Sequence, residues 1–118
     1  MGIGGLRMLT FNLKKEWFEK IKSGEKTHEY RVYKPYWRKR FEKFFNCDLS
    51  AVKLRFGNEI AIVPPQYYIT FVCGYARTED FDKRLLAKVK TIRLRWGEET
   101  DLKINKPVYD IEFELLED

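Results

Sequence analysis

Between Ala87 and Trp96 the apolar residues change parity: Ala87 and Val89 are odd-numbered, whereas Ile92, Leu94 and Trp96 are even. Successive side chains of a strand point to opposite faces, so a flat strand cannot turn both sets inward. An extra residue near Lys90-Thr91, a β-bulge, restores the phase and bends the strand. A small sheet needs such a bend to curl towards closure. The expectation is therefore a curled, barrel-like sheet with Val89, Ile92, Leu94 and Trp96 facing its core.

The other segments fit that frame. "RMLTFNL" (7–13) reads as a first strand, after which Asn12 is expected to cap a helix. Leu13, Trp17 and Ile21 recur every four residues with Phe18 beside them, and Gly24 suits the left-handed position that ends a helix. Pro35 opens a second helix, "PYWRKRFEKFF", with Trp37, Phe41, Phe44 and Phe45 inward and Arg38, Lys39 and Lys43 outward. "AVKLRF", "EIAIVPP", "QYYITFVCGYAR" and "VYDIEFELL" supply further strands, and "EDFDKRLL" one helical turn. Two early helices, five or six strands and no βαβ rhythm define an α+β chain.

Composition narrows the partners. The chain has 118 residues, 44% of them hydrophobic, enough for one domain with a modest core. We place that domain at 8–118, behind a flexible leader, 1–7, that has no signal-peptide h-region. Cys47 and Cys73 lie outside metal-ligand spacing and the chain has one histidine, so neither metal nor cofactor is expected. Two thiols suit a reducing, cytoplasmic setting, and no apolar run is long enough to span a membrane. The net charge of +5 tilts the chain towards an anionic partner. The sequence is silent on oligomeric state.

The stretch "GEKTHEYR" (24–31) carries the chemistry. Its alternation directs Thr27, Glu29 and Arg31 one way and His28, Tyr30 and Val32 the other. Glu29 and Arg31 are then about 7 Å apart at Cα and share a face. They form either a stiffening salt bridge or a pair with one edge kept for ligand. Lys26, just past the glycine, is either a solvated lysine or a phosphate or proton-transfer group, with its head group expected in solvent. Tyr30, Tyr33, Tyr36 and Trp37 are core aromatics or stacking surfaces. Arg38 and Lys39, with Lys34, Lys43, Arg93 and Arg95, form a solvated face or a track for a nucleic-acid backbone.

The order strand, helix, "SGEKTHEYR", aromatic-basic helix, strands resembles the ASCH domain family of the PUA-like superfamily. The motif G-x-K-x-x-E-x-R is carried by Gly24, Lys26, Glu29 and Arg31, and the likeness covers roughly residues 8 to 45. It implies a small β-barrel with helices beside a cleft lined by the motif. It also implies an RNA- or nucleotide-binding module, with Lys26, Glu29, Arg31, Tyr30, Arg38 and Lys39 as ligand contacts. One family branch hydrolyses an acylated cytidine nucleoside with a lysine, a threonine three residues on and a distant glutamate. Here position 29 is Glu, and Glu112 and Glu114 compete for the distant place. A hydrolase acting on RNA or a modified nucleoside, with Lys26 and Glu29 catalytic, is thus the alternative. A protein-interaction module is the third reading.

Overall fold

The computed structural model describes residues 7–45, 61–62, 67–75 and 80–116. Its elements run β1 (Arg7–Leu13), α1 (Lys15–Lys22), β2 (His28–Val32), α2 (Pro35–Phe45), β3 (Ala61–Ile62), β4 (Tyr67–Cys73), β5 (Arg84–Trp96) and β6 (Pro107–Leu115). Single 3-10 turns precede and follow β5. The strands form one curled half-barrel sheet in the order β1-β4-β5-β6-β2, with β3 on the far half of β5. β1 and β4 are parallel and the other pairings antiparallel. The expected strand "AVKLRF" lies outside the described residues.

The bulge sits where the parity change requires it. β5 pairs with β6 in one register through Val89 and another from Thr91, leaving Lys90 as the extra residue. Val89, Ile92 and Leu94 are all buried as a result. Trp96 departs from the expectation and is 38% exposed. Its Cα pairs with Pro107 at the last rung of the ladder, beyond the core, and its indole N–H donates to Asn105 Oδ1 at 3.0 Å.

The concave face of the sheet holds an aromatic core, and both helices pack against it: α1 on β4, α2 on β1. Phe11 stacks on Phe71 at 6.0 Å, and Phe41 meets Tyr109 edge-on at 4.7 Å. Phe41, Phe44 and Phe45 are buried as their spacing predicts. Trp37 is only half-buried, because it forms a wall between Phe11 and the surface. Asn12 does not cap α1. Parallel pairing with β4 continues through Leu13, so Asn12 stays in the strand and Lys14 takes the cap position without a side-chain bond.

Candidate functional site

The sheet is open between its edge strands β1 and β2, and the "GEKTHEYR" stretch lies along that opening. Gly24 adopts φ +86°, a conformation open to glycine but strained for other residues. The chain then doubles back, and the Lys26 N–H donates to Lys20 O at 3.0 Å. This return directs the Lys26 side chain inward, so it is 9% exposed rather than solvated as expected. Its ammonium lies 5.4 Å from the Trp17 ring centre and 4.8 Å from that of Tyr30. It bonds Asp101 Oδ2 and stands 3.5 Å from Glu29 Oε1. Two carboxylates offset the desolvation of the charge.

Register assigns the remaining side chains to faces. Glu29 and Arg31 share inner rows with Ile111 and Tyr109, while His28 and Tyr30 share outer rows with Glu112 and Asp110. Arg31 reaches across the opening, its guanidinium 4.8 Å from the Phe11 ring and 5.1 Å from Trp37. Arg31 Nη2 lies 2.9 Å from Glu29 Oε2. Beyond that ion pair, Glu29 Oε2 and Arg31 Nε are buried without a hydrogen-bond partner. Burial pushes the Glu29 carboxyl above its ordinary range, outweighing Arg31 and Lys26.

Lys26, Glu29, Tyr30, Arg31 and Asp101 line an inner cleft of about 260 Å³, with Asn12, Leu13, Lys14, Trp17 and Leu102 completing its walls. Asp101 enters from the loop after β5. That loop is tightly held: Gly97 N–H donates to Lys106 O at 2.7 Å, and Thr100 Oγ1 to Gly97 O at 2.8 Å. A Cβ on Gly97 would sit 2.6 Å from Ile104 O, so only glycine fits. An adjoining outer cavity of about 360 Å³ shares Trp17, Lys26, Tyr30 and Asp101 with the cleft and adds His28.

His28 is anchored from behind. Its Nδ1 lies 2.6 Å from Asp110 Oδ1, while Arg93 Nε and Arg95 Nη1 approach Oδ2 at 3.1 and 3.5 Å. Burial alone would raise the Asp110 carboxyl, but the His28 and Arg93 bonds and charges hold it below its ordinary value. An ionised carboxylate only accepts, so Nδ1 carries the hydrogen. Nε2 is left as the ring nitrogen turned away from that carboxylate.

Among the residues singled out from sequence, Lys26, Glu29, Arg31 and Tyr30 meet at the cleft. The Lys26 ammonium stands 4.8 Å from the Tyr30 ring centre, and the His28 ring stacks on Tyr30 at 6.1 Å. Its hydroxyl is pushed up to about 12, first by burial and then by Asp110, and remains a donor. Arg38 and Lys39 lie on α2 outside these cavities, with Arg38 Nε bonded to Glu42 at 2.9 Å. Glu112 is taken up by Thr91 and Lys90. The acid beside Lys26 is Asp101, which no local pattern marks.

Among the described residues no acidic, histidine or cysteine cluster could hold a metal, and no helix is long and apolar enough to cross a membrane. No protein-family model, curated protein or solved structure matches the chain.

Proposed function

We propose that the chain is an RNA- or nucleotide-binding module of ASCH type, which takes an unpaired base into the inner cleft. The observation that carries this reading is the Glu29–Arg31 pair lining the cleft, in which Arg31 Nε has no hydrogen-bond partner and Glu29 Oε2 has only the Arg31 ion pair. Unsatisfied polar atoms at a buried site cost stability, and a ligand edge offering both a donor and an acceptor would complete them. Nucleobases present such edges when splayed from a strand. The cleft volume, just under the range of roughly 300–1,000 Å³ usual for ligand pockets, suits one ring system rather than an extended chain. Lys14 at the rim provides a charge for a neighbouring phosphate.

Anisotropy titration with labelled single-stranded RNA tests the proposal. The wild type should bind, and Arg31→Lys, which keeps the charge but removes Nε, should weaken binding about tenfold. No binding at low salt, or equal binding by the variant, would contradict it.

A second reading, a hydrolase acting on RNA or a modified nucleoside, draws on the His28–Asp110 pair. A buried carboxylate that fixes an imidazole leaves the opposite nitrogen able to move a proton. Lys26 contributes charge stabilisation beside it, and Glu29, its carboxyl raised by burial, is a second proton carrier. Turnover of acylated nucleosides or RNA, lost in His28→Ala, would favour this reading over binding alone.

A further inference from the structure

His28 is held more firmly than the compensation of Asp110 requires. Arg93 and Arg95 already occupy Oδ2, so the carboxylate has two cations without the imidazole. The Oδ1 bond nevertheless fixes the ring, stacked on Tyr30, at the wall of the outer cavity. Among the described residues nothing bonds its Nε2. What that nitrogen can receive is limited by chemistry. With Nδ1 committed to Asp110, Nε2 is the ring's remaining polar atom, and a sugar hydroxyl, both donor and acceptor, can bond it.

Charge points the same way. Lys20 and Lys26 on the cavity wall are matched by Glu25 and Asp101, which leaves no surplus cation for a phosphate. Trp17, Lys26, Tyr30 and Asp101 line both spaces, so the two adjoin, and the outer cavity is the nearest space for a group bonded to a base in the cleft. In a nucleotide that group is the sugar.

We propose that the outer cavity is a ribose subsite, in which His28 Nε2 accepts a hydrogen bond from the 2′-hydroxyl and so distinguishes RNA from DNA. The inference rests on the base occupying the inner cleft. The 2′-hydroxyl is the group by which a protein tells the two nucleic acids apart.

The test compares three labelled strands of one sequence, about 12 nucleotides long: RNA, DNA and 2′-O-methyl RNA. The wild type should bind RNA about fivefold tighter than either strand lacking the hydroxyl donor. His28→Ala should abolish the discrimination, with RNA and DNA then binding that variant equally. Asp110 keeps Arg93 and Arg95 in that variant, and circular dichroism checks that it folds. Should it unfold, His28→Asn, whose amide can still donate to Asp110 Oδ1 but has no Nε2, takes its place. Equal wild-type affinity for RNA and DNA, or discrimination that survives His28→Ala, overturns the ribose subsite while leaving base binding in place. Failure to bind any strand overturns the base site, and this inference with it.

Discussion

Lys26 shows how far a side chain's role depends on contacts absent from its own segment. A lysine two residues past a helix-ending glycine reads as solvated, yet it is buried between Trp17 and Tyr30 and held by Asp101 and Glu29. Lys26→Ala should therefore destabilise the fold, leaving Glu29 with Arg31 as its remaining cation. Arg31→Ala should cost about 2–3 kcal/mol in urea unfolding. That is at or below the roughly 3–5 kcal/mol for breaking a fully buried pair, since Arg31 is part-exposed and Lys26 remains. Wild-type stability in either variant would show that the cluster is not holding the opening together.

The two buried carboxyls act oppositely with pH. Asp110 is lowered in the folded state, so its contribution is complete above the unfolded value of 3.8 and is lost as pH falls below it, through the folded value. Glu29 is raised, so stability declines as pH rises from 4.5 through its folded value. Unfolding midpoints measured from about pH 5 down to about pH 2 should fall less steeply in Asp110→Asn than in the wild type. Parallel curves would mean that Asp110 carries no such linkage.

Among the elements, β5 does most to set the shape of the sheet. Its bulge at Lys90 aligns Val89 with Ile92 and Leu94 on one face. Deleting Lys90 should force one half of the strand outward and abolish cooperative unfolding, because a one-residue slip reverses every side chain. The loop after β5 positions Asp101. Gly97→Ala should displace it, since the added Cβ would meet two backbone oxygens, and should reduce ligand affinity more than stability. In α2, Phe41→Ala should cost about 3–5 kcal/mol, as for other large-to-small changes in a packed core. A loss well under that range would mean that α2 is loosely docked.

For the whole molecule, the parts legible in sequence were those set by periodicity and local chemistry. The parity change located the bulge, Pro35 and the aromatic spacing bounded α2, and Gly24 marked the turn into β2. Trp96 obeyed the phase but lay past the end of the core, which alternation cannot reveal. The acids that complete both cavities are 75 and 82 residues from their partners Lys26 and His28, a proximity created by the loop after β5 and the β2–β6 register. The net charge of +5 likewise does not say which cations are left for a ligand. Arg93 and Arg95 are engaged by Asp110, and Arg38 by Glu42. RNA binding should thus involve about two or three phosphates, giving a log–log salt slope of about −1.4 to −2.1 for a single strand. A slope near −5 would instead indicate a broad electrostatic surface.

A crystal structure with a short oligoribonucleotide decides whether a base occupies the cleft between β1 and β2. A base edge should lie within hydrogen-bond distance of the Glu29 carboxylate and the Arg31 guanidinium, beside Trp17. An empty cleft, with the strand lying along the Lys39 and Lys43 face of α2, would contradict it.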